Sequence, residues 1–224
     1  MDFNSNNRYF HRSYRMLYAG IPLVVIGGVV LLGKFFRRYV QIENIFTVIL
    51  AAGVMLILFF LVSFPRDSEF DRGISVKIRD LRAVAEERIT ALEHTPHFTD
   101  NYLAEGFFYG EGTSELKRGM DGRFRTDKYS AAQILLTAKR LYVYVMRFST
   151  VKDETETDFY PIEFEAVQSV SVEELLTEVD YGKDRGAIKS ALFCIKTDGA
   201  EYSFPTNADS LADVMANKIM LRKE

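Results

Sequence analysis

The chain has 224 residues, of which 48% are apolar, 26% charged and 13% aromatic. These proportions are typical of a folded protein and exclude collagen-like, low-complexity and intrinsically disordered chains. A single cysteine, Cys194, excludes a disulfide framework and a zinc site built from cysteines. The net charge of −3 lacks the strongly basic character of nucleic-acid-binding domains, so we expect no nucleic-acid partner.

Two uncharged runs stand close together in the first third of the chain. Residues 16–33 form a run of 18 and residues 44–65 a run of 22. As helices rising about 1.5 Å per residue, they match the roughly 30 Å hydrocarbon core of a bilayer. A buried core helix is the alternative for either run, and a signal peptide is a second alternative for the first. Because the runs adjoin and no A-x-A cleavage pattern follows the first, residues 1–65 predict a transmembrane hairpin with helices at about 16–33 and 44–64.

The distribution of Lys and Arg predicts the orientation of this hairpin. Three such residues precede the first run and five lie in the 20 residues after the second, against three in the connecting loop (Lys34, Arg37 and Arg38). The positive-inside rule then places both termini in the cytoplasm. Neither run contains an ionisable residue, which favours an anchor over an ion path. We therefore expect a multi-pass protein of the cell membrane.

Residues 66–99 are predicted to form a juxtamembrane connector. Within them, residues 74–94 predict one amphipathic helix, because its apolar residues recur at spacings of three or four. These residues are Ile74, Ile78, Leu81, Ala85, Ile89 and Leu92. A helix that packs on the following domain is the favoured interpretation, and a short self-associating coil is the alternative. His94 and His97 flank a helix-breaking Thr-Pro pair without a third ligand nearby, so we expect neither a metal nor another cofactor.

Residues 100–224 are predicted to form an acidic β domain. Asp198-Gly199 predicts a two-residue hairpin between the last two strands, and residues 207–222 predict a closing helix with Asn207 or Asp209 as its cap. Seven strand-like runs precede that helix, at 106–112, 128–138, 140–149, 157–164, 167–176, 187–197 and 200–206. This order predicts an α+β protein in which a bent antiparallel sheet, or partly open barrel, is capped by a C-terminal helix.

Three segments of this domain resemble the bacterial pleckstrin-homology-like (PH-like) domain family. They are ILLTAKRLYVY (134–144), YPIEFEAVQSVSV (160–172) and KTDGAEYSF (196–204), the last followed by the closing helix. The resemblance covers roughly residues 130–222, with departures at Phe164, at Val167 and in the acidic insert 153–158. It implies a seven-stranded, two-sheet fold capped by a helix, acting as a binding or scaffolding module and not as an enzyme.

A basic loop before the second predicted strand is the candidate binding site. It contains Lys117, Arg118, Arg123, Arg125 and Lys128 within 12 residues. Arginines at alternate positions of a hairpin point to one side and can hold a phosphate, so this loop is a candidate for an anionic lipid headgroup. A solvated charged loop is the alternative. The resemblance points to the same loop, because eukaryotic relatives of the fold hold headgroups there.

The sequence predicts no catalytic activity. Residues 100–224 contain no histidine, which removes the commonest general base, and Cys194 lies in an apolar strand. We therefore expect a membrane-anchored PH-like module that recruits a protein partner. An accessory or sensory subunit of a membrane complex is the alternative, as is a domain that contacts anionic lipid through the basic loop.

Overall fold

The computed structural model describes residues 1–11, 13–33, 40–93, 96–110, 112–181, 184–207 and 210–222. These residues form two compact units, one of residues 4–66 and one of residues 67–224 together with residues 1–3. The chain is α+β, with its helices before its antiparallel sheets except for one helix at the end.

Two long helices dominate residues 4–66. The short helix α1 (Phe3–Phe10) precedes α2 (Arg15–Leu32) and α3 (Val40–Val62). Both α2 and α3 are long and apolar enough to cross a membrane, with mean hydropathies of 2.0 and 3.0 over 18-residue windows. They match the predicted helices, although α3 begins four residues earlier than expected and includes Glu43. The predicted loop residues Lys34, Arg37 and Arg38 lie outside the described residues.

Three glycines bring α2 and α3 into close contact. A Cβ atom on Gly53 would lie 2.8 Å from the backbone nitrogen of Val24, and one on Gly20 would lie 3.1 Å from the carbonyl oxygen of Gly53. One on Gly27 would lie 3.0 Å from the Cα of Leu50. Side chains at these positions would therefore collide with backbone, which is how small residues allow helices to pack closely in membranes.

The connector forms two helices where the sequence predicted one over residues 74–94. They are α4 (Asp67–Ile78) and α5 (Leu81–Leu92), separated by a turn at Arg79 and Asp80. Five of the six predicted stripe residues are buried, whereas Leu92 is 61% exposed. Because the sheet is twisted, a single straight helix would not keep the whole stripe against it. The turn between α4 and α5 allows both halves of the stripe to face the same sheet.

Among the residues that the structure describes, nine strands and one further helix complete the second unit. In chain order they are β1 (Asp100–Phe107), β2 (Leu116–Arg118), β3 (Phe124–Thr126), β4 (Lys128–Leu136), β5 (Arg140–Ser149), β6 (Thr155–Glu163), β7 (Val167–Tyr181), β8 (Asp184–Thr197), β9 (Glu201–Thr206) and α6 (Ser210–Leu221). Strands β1-β4-β5-β6 form a four-stranded antiparallel sheet, β7-β8-β9 form a three-stranded one, and β2-β3 form a separate hairpin.

This arrangement differs from the predicted strands at the first strand, at the β2–β3 hairpin and where β7 and β8 meet. There β7 runs to Tyr181 and β8 starts at Asp184, beyond the predicted 167–176 and 187–197. The first strand spans residues 100–107 instead of 106–112, because pairing with β4 turns Tyr102 and Ala104 towards the core. The β2–β3 hairpin was not predicted as strand, since each of its strands has only three residues. The closing helix begins at Ser210 instead of 207, and its predicted cap Asp209 lies outside the described residues.

The four-stranded sheet is covered on both faces. Its inner face packs against the three-stranded sheet and α6 around a core that includes Ile134, Val143, Phe193 and Ile219. Helices α4 and α5 cover the outer face. These contacts place Phe70 against Phe107 with ring centres 6.3 Å apart, Arg88 over Phe159 at 5.3 Å, and Glu93 in a hydrogen bond from the Tyr142 hydroxyl. Burial on both faces explains why β4 is apolar or buried at successive positions and shows no alternation.

Candidate functional site

The predicted basic loop is the β2–β3 hairpin. Lys117 pairs with Arg125 across it, and Gly122 turns the chain with a φ of +81°, a conformation that favours glycine. The backbone amide of Gly119 donates to the carbonyl oxygen of Arg123 at 2.8 Å, which closes the turn. The loop is therefore an ordered hairpin with a short tip around Met120.

Arg125 is at the centre of a buried ion-pair cluster. Its Nε and Nη2 atoms donate to the two carboxylate oxygens of Asp71 at 2.8 and 2.6 Å. Its Nη1 and Nη2 atoms donate to Asp121 at 2.9 and 2.8 Å, and the guanidinium is 1% exposed. Two carboxylates thus occupy Arg125, which faces α4 and not solvent.

The other four predicted cations lie in different surroundings. Arg123 and Arg118 are exposed at the hairpin, and the Arg118 guanidinium lies 5.7 Å from the ring centre of Phe124. Lys117 is half-buried. The Lys128 ammonium lies 3.7 Å from a Glu154 carboxylate oxygen, at the start of the four-stranded sheet. The structure therefore places Arg118 and Arg123 near the hairpin tip and holds Arg125 apart in the ion-pair cluster.

The hairpin tip is fastened to the first turns of α4. The backbone amide of Met120 donates to the Asp67 carboxylate at 2.7 Å, while the Met120 side chain is fully exposed. Asp67 and Asp71 lie four residues apart and so face the hairpin from one side of the helix. Hydrogen bonds from Arg125 hold the pKa of Asp121 well below its usual range.

Sequence reasoning missed these acidic partners. Asp67 and Asp71 precede the helix that was predicted over residues 74–94, and Asp71 is 54 residues from Arg125. The available signal was two carboxylates at helical spacing on the same side of the helix as Phe70 and Ile74. That pattern predicts a charged helix face but does not identify the cation it meets.

A cavity of about 840 Å³ lies beside the hairpin. It is bounded by α4, the end of β1, β3 and the strands β7 and β8, with Ile74, Phe107, Leu175 and Ile188 among its apolar walls. Tyr109 also lines it and donates from its hydroxyl to the carbonyl oxygen of Phe124 at 2.9 Å. Burial raises the pKa of Tyr109 to about 12, so this hydroxyl stays a proton donor.

Glu105 is the acidic side chain of this cavity that is not paired with Arg125. Burial raises the pKa of Glu105, and a hydrogen bond from the Tyr129 hydroxyl makes this rise smaller. Burial and the neighbouring Glu105 charge raise the pKa of Tyr129 in turn. The Oε2 atom of Glu105 is shielded and has no hydrogen-bond partner among the described residues. A buried carboxylate oxygen without a donor is unusual in folded proteins.

No group of three or more His, Cys, Asp or Glu side chains is placed to hold a metal ion among the residues that the structure describes. Of the predicted histidine pair, His94 lies outside those residues. Cys194 is buried, and burial raises the pKa of its thiol, which opposes thiolate chemistry.

Comparison with known proteins identifies no relative of this chain. No family model matches the chain, and no curated protein or solved structure is significantly similar to it. The PH-like resemblance therefore remains a prediction from the sequence segments that carry it.

Proposed function

We propose that the protein is a membrane-anchored, PH-like binding module that recruits a protein partner at the cytoplasmic face of the cell membrane. Two helices of membrane-spanning length and apolarity support the anchor. A four-stranded and a three-stranded antiparallel sheet closed by a C-terminal helix support the PH-like part, because this is the layout that the resemblance implies.

The observation that carries the proposal is the attachment of α4 to the β domain. Asp67 follows Pro65 by two residues, directly after the second uncharged run. Asp67 and Asp71 bind the β2–β3 hairpin, and the apolar face of α4 and α5 covers the four-stranded sheet. A binding domain joined so closely to an anchor would remain at the membrane surface.

A non-catalytic role fits the chemistry of the second unit. Its strongest polar constellation, Arg125 with Asp71 and Asp121, is saturated by its own hydrogen bonds. A saturated ion-pair cluster stabilises structure and offers no group for proton transfer or nucleophilic attack.

In-cell crosslinking of three chains tests this function. They are the full chain, residues 1–66 and residues 67–224, each carrying the same affinity tag. If the β unit recruits the partner, the full chain and residues 67–224 crosslink to the same protein and residues 1–66 do not. A partner retained by residues 1–66 alone would instead favour the accessory-subunit alternative. Protease protection in inverted vesicles tests the orientation, since both termini should be cleaved there.

Contact with anionic lipid is a second candidate function, and the hairpin tip supports it. Met120 is fully exposed between the cations Arg118 and Arg123. An exposed apolar side chain flanked by cations suits the interface of an anionic lipid bilayer. The tip is also fastened to Asp67, which stands next to the predicted membrane segment.

A fluorescent label at Met120 tests this second function. An environment-sensitive dye is attached to the Met120→Cys variant of the full chain in nanodiscs with and without anionic lipid. Its emission should shift to the blue only with anionic lipid, and Arg118→Ala with Arg123→Ala should remove the shift. Lys139→Ala with Lys152→Ala is the matched control, because both lysines are exposed elsewhere. Equal emission in both nanodiscs excludes lipid contact at the tip.

A further inference from the structure

The cavity beside the hairpin contains an acidic group whose partner is missing. Glu105 lies on β1 next to the apolar walls formed by Phe107, Leu175 and Ile188. One carboxylate oxygen, Oε2, is shielded without a hydrogen-bond partner, whereas the Tyr129 hydroxyl interacts with the carboxyl group. A buried carboxylate left without a donor costs more free energy than an exposed one, so the site has an incomplete set of hydrogen bonds.

The cations that line the cavity do not complete this set. Arg125 is occupied by Asp71 and Asp121, and neither of the exposed cations Arg123 and Lys189 donates to Oε2. The unmet requirement at Glu105 is therefore a proton donor from outside the described residues, and a positively charged donor would in addition offset the carboxylate charge.

The shape and charge of the surroundings define the rest of the ligand. The apolar walls suit an aliphatic stem, which would extend the cation towards Glu105 while excluding water from it. Residues 67–224 hold 21 basic and 29 acidic residues, so the net charge of the unit favours the approach of a cationic ligand. The χ3 torsion of Glu105 is soft, so a partial turn of the carboxylate can bring an oxygen towards the cavity.

We propose that this cavity binds an ammonium or guanidinium group on an aliphatic stem, with Glu105 as its counter-ion. Such a group is carried either by a free alkylamine or by a Lys or Arg side chain of a protein partner. The second source rests on the proposed function, because it identifies the chemistry by which the recruited partner would be held. The first source is independent of it.

Saturation-transfer difference NMR with small probes tests the proposal on the full chain in nanodiscs. The probes are pentylamine, pentanol as its neutral counterpart, and the capped tripeptide Gly-Lys-Gly. Pentylamine should bind and pentanol should not. Tighter binding of the tripeptide than of pentylamine assigns the site to a protein side chain, and binding of pentylamine alone assigns it to a small amine.

Two variants locate the binding. Glu105→Gln should weaken pentylamine binding by about tenfold, because a hydrogen bond to a charged group contributes about that factor. Glu165→Gln, which removes the same charge from an exposed position in the 3₁₀ turn Phe164–Ala166, should leave binding unchanged. Ala187→Trp should abolish it by filling the cavity from an exposed strand position.

Three results would overturn the proposal. They are no detectable binding of either amine probe, equal binding to the Glu105→Gln variant, and equal binding of pentanol. The first result indicates that solvent alone completes the hydrogen bonds of Glu105. None of them bears on the crosslinking experiment, so failure here and failure of the proposed function are distinguishable.

Discussion

Arg125 and Asp71 form a bidentate ion pair between elements that are 54 residues apart in the chain. The guanidinium is fully buried, whereas the side chain of Asp71 is 42% exposed and keeps part of its hydration. Asp121 binds the same guanidinium from the hairpin itself. One arginine therefore joins helix α4 to the β domain, and the four short bonds satisfy donors that could not otherwise be buried.

Removal of this arginine should destabilise the second unit. Arg125→Ala leaves Asp71 and Asp121 facing each other without a cation, so we expect the free energy of unfolding to fall by about 3 kcal/mol. Arg125→Lys should also be destabilising, because an ammonium cannot make the paired bonds to both carboxylates. Chemical denaturation of the full chain in detergent, followed by circular dichroism, measures both changes.

The neighbouring arginine provides the control for that measurement. Arg123→Ala removes an exposed guanidinium two residues away and should change the free energy of unfolding by less than about 0.5 kcal/mol. Similar losses for Arg123→Ala and Arg125→Ala would contradict a special role for the buried pair.

The connector helices should be indispensable to the β domain. A fragment of residues 67–224 retains the cover of the four-stranded sheet, whereas a fragment of residues 100–224 exposes Leu135 and Tyr142 and removes Asp71 from Arg125. We expect the longer fragment to be soluble and monomeric and the shorter one to aggregate. Size-exclusion chromatography compares them, and a stable monomer of residues 100–224 would refute the structural role of α4 and α5.

Glu105 should make stability depend on pH. Its pKa is raised in the folded state by burial, so folding favours the protonated carboxyl. The stabilisation is present at acidic pH and is lost as pH rises through the raised pKa. We expect Glu105→Gln to match the wild type near pH 4 and to have the higher melting temperature near pH 7. Near pH 7, the Glu105→Gln variant should therefore be more stable than the wild type and should also bind amines more weakly.

The matched control again uses Glu165→Gln, which removes a carboxylate from an exposed position. Its melting temperature should follow that of the wild type at both pH values. A Glu105→Gln effect of equal size at pH 4 and pH 7 would show that the carboxylate charge is not the cause.

The helical hairpin should depend on Gly53. Leucine at this position would push a Cβ atom to 2.8 Å from the backbone of Val24, and overpacking of this kind costs about 1–3 kcal/mol. Spin labels at Tyr18 and Val62, in a Cys194→Ala background, report the separation of α2 and α3 in nanodiscs. We expect Gly53→Leu to broaden and lengthen the distance distribution.

Gly28 offers the comparison within the same helix pair. A Cβ atom there meets no atom within 4 Å, so Gly28→Leu should leave the distance distribution unchanged. If both substitutions separate the helices equally, the close contact at Gly53 does not hold them together.

Local patterns were enough to predict most elements of the chain. The two uncharged runs, the Asp198-Gly199 turn and the stripe from Ile74 to Ile89 each depend on residues close in sequence, and the structure has helices or a hairpin at each. The position of β1 was mispredicted, because it depends on its pairing with β4. The β2–β3 strands were missed because each has only three residues, too few for a periodic pattern.

The candidate site also has features that local sequence predicts and features that depend on tertiary contacts. The sequence alone predicted that a basic loop precedes the second predicted strand and that an amphipathic connector precedes the β domain. Only the tertiary structure decided that Arg125 turns inwards to Asp71, and that Glu105 lies shielded in a cavity without a donor. Periodicity reports which side of an element is apolar, because that preference is local. The partner of a buried charge depends on which distant elements meet, and no local pattern contains that information.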